Sequence, residues 1–301
     1  MIFLFVMNIG IYGVWRIPLE DFKKQYIDKL FNGEDINLNN DISLYNSNDV
    51  NLIGDWAEGN KLENLLKPTS ITNFNVPVIR FSMESEKNRC RKPNKRIIDE
   101  LLDKIKYKYY VGYFNEVSNI DNKIYFPIWL SFYEDLIRCH DKKYDNFDER
   151  YENWICDMTL NKGVKWRECF YKNIKSQRVC TNIGRYSYTD RVNKINIISK
   201  YLFNACFENT FESGYVTEKP VEALMAGCLP IYNGLFNNKD PNPFNMDKFF
   251  IVKEEDMETY NYQTLKNLDR ILLQEKFALP ILKNNYKDTI DELLSRVRLK
   301  L

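Results

Sequence analysis

Short apolar runs suited to buried strands alternate, from one end of the chain to the other, with stretches whose apolar residues recur at helical spacing. That order points to α/β architecture with parallel sheets, because a parallel strand pair needs a crossover connection, usually a helix. The apolar run 2–7 reads as a first strand, and Pro18 then opens a helix whose one face carries Leu19, Phe22, Tyr26 and Leu30. A buried strand over 76–81 (VPVIRF), a stripe of Ile97, Ile98, Leu101, Leu102 and Ile105, and the aromatic run 107–114 repeat the β-α-β order. Between them, the Asn-rich stretch 32–51 holds short strand candidates among turn formers and reads as surface loop.

At 301 residues the chain is long enough for about two domains on a soft prior of roughly 150 residues each. The densely charged stretch 140–152 (HDKKYDNFDERYE) reads as the linker, with a solvated helix face as the close alternative, which places the domains at 1–150 and 151–301. In the second half, helices are expected at 164–175, 189–199 and 217–226 and strands at 202–207 and 228–232. Leu265, Leu268, Ile271, Leu272, Ile290, Leu293 and Leu294 then give two closing helices. Two doubly wound halves fit this pattern.

Composition narrows the chemistry. The single histidine, His140, excludes mechanisms that need two imidazoles, zincins and His-rich metal centres among them, and without a partner in any motif it reads as structural. Seven cysteines with no C-x-x-C pair argue against a disulfide framework or zinc knuckle, so a reducing, cytoplasmic setting is expected. Cys206 and Cys228 read as small buried hydrophobes. A formal net charge of +1 gives no global pull toward nucleic acid, so any anion site must be local. The opening apolar run is too short to cross a bilayer and lacks a basic flank, so a soluble chain is expected, with peripheral membrane contact left open. The run Lys87–Arg96, with six basic residues in ten, reads as a solvated loop in preference to a nucleic-acid or membrane site.

The most informative segment is 201–234, YLFNACFENTFESGYVTEKPVEALMAGCLPIYNG. It lays out a strand, a polar loop, a helix and a second strand. Thr217 can cap the helix, Pro220 sits in its first turn and Gly227 ends it. A loop at the carboxyl end of a strand borders the ligand crevice of an open α/β sheet. Glu218 and Lys219 fall at the helix N-terminus, where free N–H groups and the dipole favour an anion and Lys219 adds a charge suited to a diphosphate.

At these residues the sequence resembles the α-1,3/4-fucosyltransferases of glycosyltransferase family 10. The family's donor signature, approximately F-x-F-E-N and then Y-[IV]-T-E-K, stands here as FNACFEN at 203–209 and YVTEK at 215–219. WRECFYKNIKS at 166–176 is similar to the family's helix bearing a phosphate-binding arginine, which falls on Arg167, with shorter echoes in FSME at 81–84 and YFP at 125–127. The resemblance implies a GT-B fold, two Rossmann-like doubly wound domains facing each other across a cleft with C-terminal helices. The N-terminal domain would hold the acceptor and the C-terminal domain GDP-fucose. It implies an inverting fucosyltransferase moving L-fucose to a glycan hydroxyl, with α-1,3 linkage to GlcNAc or Glc.

Arg167 and Lys219 would balance the diphosphate. Asn209, Tyr215 and Glu218 would contact the donor, while Glu208 either touches it or holds the loop. Glu84 would be the general base, with Glu86 as the nearby alternative. No D-x-D occurs, so no metal cofactor is expected. Met83, Pro220 and Asn233-Gly234 depart from the family pattern. A non-catalytic nucleotide-sugar or glycan-binding module, or a GT-B transferase using another nucleotide sugar, are the competing readings.

Overall fold

The computed structural model describes residues 6–12, 19–31, 35–54, 76–82, 108–112, 122–153, 155–157, 165–175, 180–182, 191–236, 240–256, 264–265 and 267–298. Its contacts divide the chain into a first unit, Met1–Ser131 with Asp291–Leu301, and a second, Phe132–Ile290.

In the first unit, β1 (Val6–Tyr12), β2 (Asp35–Asn39), β3 (Val50–Gly54), β4 (Val78–Ser82), β5 (Lys108–Gly112) and β6 (Lys123–Tyr125) form a sheet in the order β2-β1-β3-β4-β5-β6. Every pairing is parallel. The helical segment after β1 runs through Leu19–Phe22, Lys23–Ile27 and Asp28–Leu30, and its Phe22, Tyr26 and Leu30 are buried as their spacing predicts. Phe81 at the end of β4 receives both aromatic rings, Phe22 at 5.4 Å and Tyr26 at 5.0 Å between centroids.

The Asn-rich stretch is more than a surface loop, and its strand candidates form. It supplies β2 and β3, and Asn48 and Asn51 are buried. The amides bond one another. Asn39 Nδ2 donates to Asn48 Oδ1 at 2.8 Å, Asn48 Nδ2 to Asn51 Oδ1 at 2.9 Å and to the Tyr12 hydroxyl at 3.1 Å, and Asn51 Nδ2 to the Tyr45 carbonyl at 3.0 Å. Buried amides are tolerated when their hydrogen bonds are made, which composition alone does not reveal.

The second unit repeats the winding. Its strands β7 (Ile155–Asp157), β8 (Cys180–Asn182), β9 (Phe203–Ala205), β10 (Leu229–Tyr232) and β11 (Phe250–Ile251) are parallel in the order β11-β10-β9-β7-β8. Read from β8, this is the 2-1-3-4-5 order of a doubly wound sheet, reversing direction between β7 and β9. Phe170, Phe203, Phe207, Ile231, Leu273 and Phe277 lie in its core. Pro230 fits within β10 for a reason of register. The Leu229 N–H donates to the Leu202 carbonyl and the Ile231 carbonyl accepts from Cys206, so the odd residues face β9. Pro230 therefore turns its missing donor toward β11, which starts only opposite Ile231.

The stretch 140–152 is no linker. It belongs to the second unit, where helix Phe147–Glu152 carries Arg150, 2% exposed, as an anchor. Its guanidinium donates to Asn146 Oδ1 at 2.8 Å, the Ala226 carbonyl at 2.9 Å and the Tyr201 carbonyl at 3.4 Å. Charge density misleads here because one buried arginine satisfies several carbonyls at once. Two closing helices do form, Arg270–Ala278 and Tyr286–Val297. Leu265, Leu273, Ile290 and Leu293 are buried, but Ile271 (67%) and Leu272 (40%) are exposed. Lys248, itself buried, donates to the carbonyls of Lys276, Phe277 and Leu279 and so closes the first of these helices.

Gly227 ends helix Glu218–Met225 in the left-handed region, φ 74°, and a β-carbon there would meet the Tyr144 ring at 2.6 Å. Gly227→Ala is expected to destabilise the chain by at least about 1 kcal/mol. A denaturation midpoint at or above the parent's, with unchanged slope, would contradict this.

Candidate functional site

The loop Cys206–Val216 leaves β9 at its carboxyl end, beside the point where the strand order reverses between β7 and β9. Crevices of open α/β sheets form at that place. Thr217 follows in extended conformation and caps helix Glu218–Met225, its Oγ1 accepting from the Lys219 N–H. Pro220 lies in the first turn, where no amide donor is required. The elements predicted at 202–207, 217–226 and 228–232 are thus present with small shifts at their ends.

Glu208 organises this loop. Its carboxylate is fully buried. Oε1 accepts from the Thr217 N–H at 2.8 Å and the Tyr232 hydroxyl at 2.9 Å, while Oε2 accepts from the Thr217 hydroxyl at 2.8 Å and Lys219 Nζ at 3.2 Å. The Glu208 N–H donates to Asn233 Oδ1 at 2.6 Å. Of the two roles open to Glu208 on sequence, holding the loop is the one these bonds describe. Gly234 lets Tyr232 reach it, because a β-carbon at 234 would overlap the Tyr232 ring and hydroxyl.

Arg167, 4% exposed on helix Lys165–Lys175, donates through Nη2 to the Phe207 carbonyl and to Asn209 Oδ1, the latter at 2.6 Å. Phe170, three residues along, packs edge-on against Phe207 at 4.7 Å. One face of this helix thus grips the loop by a ring and a guanidinium. Lys219 Nζ also donates to Thr217 Oγ1 at 2.8 Å and lies 3.4 Å from Glu218 Oε1. Tyr215 is buried within the loop at 2% exposure, whereas the side chains of Lys219 and Glu218 are 18% and 30% exposed.

The structure therefore brings Arg167, Glu208, Asn209, Tyr215, Glu218 and Lys219 to one loop and helix start. Glu84, Glu86 and the run Lys87–Arg96 lie outside the described residues. His140 packs its ring on Tyr286 at 4.7 Å, a structural place, and Cys206 and Cys228 are buried. Sequence reading missed Tyr232 and Asn233 as supports of Glu208. It also missed Lys194, which pairs with Glu222. The Tyr232–Glu208 bond spans 24 residues, and nothing in an apolar strand marks its tyrosine as a donor.

The electrostatics follow from burial and pairing. Burial alone would raise the Glu218 carboxyl, but Lys219, Lys194 and its own backbone N–H outweigh it and hold the group down at about 2. Burial would lower Lys219, and Glu208 and Glu218 reverse that, holding it above the ordinary lysine value despite Arg167. Both residues are charged at neutral pH. Arg167 and Lys219 stand against Glu208 and Glu218, so the cluster carries no surplus charge of its own. Among the described residues no group of His, Cys, Asp and Glu is placed to hold a metal ion.

Comparison with known proteins gives a consistent likeness. No family model matches the chain. It is 35% identical over 152 residues to an alpha-(1,3)-fucosyltransferase of Helicobacter pylori, covering 49% of this chain and 29% of that protein. It is 25% identical over 122 residues to the 4-galactosyl-N-acetylglucosaminide 3-alpha-L-fucosyltransferase 9 of Cricetulus griseus, covering 40% of this chain and 34% of that one. The matches thus span about a third or less of the length of these curated relatives. Among solved structures, a crystal structure of an alpha1,3-fucosyltransferase superposes with TM-score 0.60 at 19% identity, covering 96% of this chain and 88% of that one. A crystal structure of an alpha1,3-fucosyltransferase with GDP-fucose gives 0.57 at 17%, covering 97% and 90%. An alpha-glucosyltransferase in complex with UDP gives 0.52 at 12%, covering 97% and 96%. The chain is similar in sequence to alpha-1,3-fucosyltransferases and has their GT-B fold.

A carboxylate held below its ordinary value of 4.5 contributes stability that is complete above that value and is lost as pH falls through about 2. Glu218→Gln is therefore expected to lie below the parent in melting temperature at neutral pH, with the gap closing on acidification through this window. A gap that stays constant across it would contradict the assignment.

Proposed function

We propose that the chain is an inverting fucosyltransferase that moves L-fucose from GDP-fucose to a sugar hydroxyl of a glycan acceptor, forming an α-1,3 linkage to GlcNAc or Glc. The observation that carries this reading is the convergence of two separate sequence motifs. Arg167 from one, and Asn209, Glu218 and Lys219 from the other, meet at a loop beside the strand-order reversal. The likeness to alpha-1,3-fucosyltransferases supports it in sequence and in fold.

Inverting transfer without a covalent intermediate passes through an oxocarbenium-like state, and three jobs follow from its charges. The departing GDP gathers negative charge on its diphosphate, where the Arg167 fork and the Lys219 point charge would stabilise it. The sugar ring gathers positive charge, and the ionised Glu218, the most exposed carboxylate of the cluster, can face it or hydrogen-bond a sugar or ribose hydroxyl. Asn209, oriented by Arg167, would add a polar contact, and Tyr215 would serve the donor by shaping the loop. The acceptor hydroxyl must lose a proton, and that role goes to Glu84, just past the end of β4. Side chains would hold the diphosphate, so the reaction would need no metal cofactor. The reading places the chain in a reducing, cytoplasmic setting, which its buried free Cys139, Cys206 and Cys228 support. Among the described residues no helix is long and apolar enough to cross a membrane.

A ligand that binds only the folded chain raises its melting temperature according to its affinity. GDP is expected to do so more than UDP, and EDTA is expected to leave the GDP shift in place. A preference for UDP, or a shift that EDTA removes, contradicts the donor reading.

The roles separate under substitution. Arg167→Ala and Lys219→Ala are each expected to cost on the order of 2 to 4 kcal/mol of transition-state stabilisation. Glu84→Gln is expected to lower kcat by about 10² to 10⁴-fold while GDP still binds. Parental turnover in folded Arg167 and Lys219 variants would place the diphosphate elsewhere. Parental turnover in Glu84→Gln would move the base, first to Glu86.

A further inference from the structure

We propose that Glu208 is a positioning residue for donor binding: its buried carboxylate fixes the Thr217 cap and the Lys219 ammonium in one arrangement in which the loosest of the three Lys219 contacts, the one to Glu218 at 3.4 Å, is the one a phosphate oxygen would replace. The inference rests on the donor reading above and assigns a residue that would itself touch no donor.

The geometry fixes the donors one by one. A threonine hydroxyl has one proton, and the Thr217 proton goes to the Glu208 carboxylate, whose nearer oxygen is 2.8 Å away. The Thr217 lone pairs are then left to accept, and Lys219 Nζ donates to them at 2.8 Å. An ammonium has three hydrogens. Thr217 Oγ1 takes one, Glu208 Oε2 takes the second at 3.2 Å, and the third lies toward Glu218 Oε1 at the looser distance of 3.4 Å. Side-chain exposure rises in the same direction, from Glu208 at 0% through Lys219 at 18% to Glu218 at 30%. The third hydrogen is the one an arriving oxygen can reach. The Tyr232 hydroxyl and the Thr217 N–H lock the carboxylate from behind.

Charge follows position. Glu208, Glu218 and Arg167 act on Lys219. Glu208 is faced in turn by Tyr232 and by Cys206, and Glu218 by Lys194. With Glu208 neutralised, Glu218 alone would oppose burial and Arg167, and Lys219 would lose its proton at lower pH. A residue that merely kept the fold intact would not move that titration.

The experiment measures GDP affinity of parent, Glu208→Gln, Glu208→Asp and Tyr232→Phe between about pH 6 and about pH 9.5, a window that reaches toward the ordinary lysine value. Parent affinity is expected to follow only the titration of GDP itself, whose terminal phosphate ionises at about pH 6, a dependence common to every variant. In Glu208→Gln, Kd is expected to rise with pH by at least about tenfold more than in the parent, one unit of pKa being tenfold. Tyr232→Phe, which removes a bond but no charge, is expected to weaken binding severalfold with no new pH dependence. Affinity in folded Glu208→Gln that matches the parent's in size and in pH profile overturns the proposal. Should that variant not fold, Glu208→Asp carries the test: it keeps the charge but withdraws the carboxylate by one methylene, so weakened GDP binding supports the proposal and parental affinity overturns it. A parent that binds no GDP at all marks failure of the donor reading, and the proposal falls with it.

Discussion

A carboxylate with no exposed surface must find its donors inside the protein, and Glu208 takes them from chain segments well apart in sequence. The end of β10 gives a tyrosine hydroxyl, the helix cap gives an N–H and a hydroxyl, and the first turn gives an ammonium. Leaving such a buried charge without its partner costs about 3 to 5 kcal/mol, a large fraction of what holds a domain folded. The loop from β9 to the helix is therefore confined to the few shapes in which all those bonds form together. Arg167 adds a second clamp from outside by gripping the Phe207 carbonyl and Asn209.

This arrangement makes the helix start pre-organised without making it strongly positive. Two cations face two carboxylates, so a phosphate would meet an assembly whose internal field is already balanced. On the proposed reading, selectivity would come from where the donors point. Electrostatic preorganisation of that kind is effective because little rearrangement remains for the moment of reaction.

How much was legible in the sequence depends on how local each signal is. Thr217, Pro220 and Gly227 announce a helix start and stop through backbone chemistry within a few residues, and the observed helix differs from 217–226 by one residue at each end. The grouping of Arg167, Asn209 and Lys219 was legible through motifs. What held Glu208 was not, because Tyr232 and Asn233 look like any strand end until the fold brings them near. The loop reading of the Asn-rich stretch and the linker reading of 140–152 miss for one shared reason, although the strand candidates of the first and the solvated helix face of the second are present. Polarity was read as exposure, whereas Asn48, Asn51 and Arg150 are polar groups whose hydrogen bonds are made inside.

Pro230 carries a consequence for how the protein behaves in company. Its missing donor faces β11, so a neighbour on that side can pair only toward the carboxyl end of β10, and β11 is two residues long. The chain just before it instead turns through Met246–Lys248 and delivers Lys248 beneath a helix end. Among the described residues, the β11 edge of the sheet thus offers an approaching strand only a short ladder of backbone groups. A short, proline-guarded border of this kind protects a parallel sheet against edge-to-edge aggregation, a hazard that grows with the length of the exposed template.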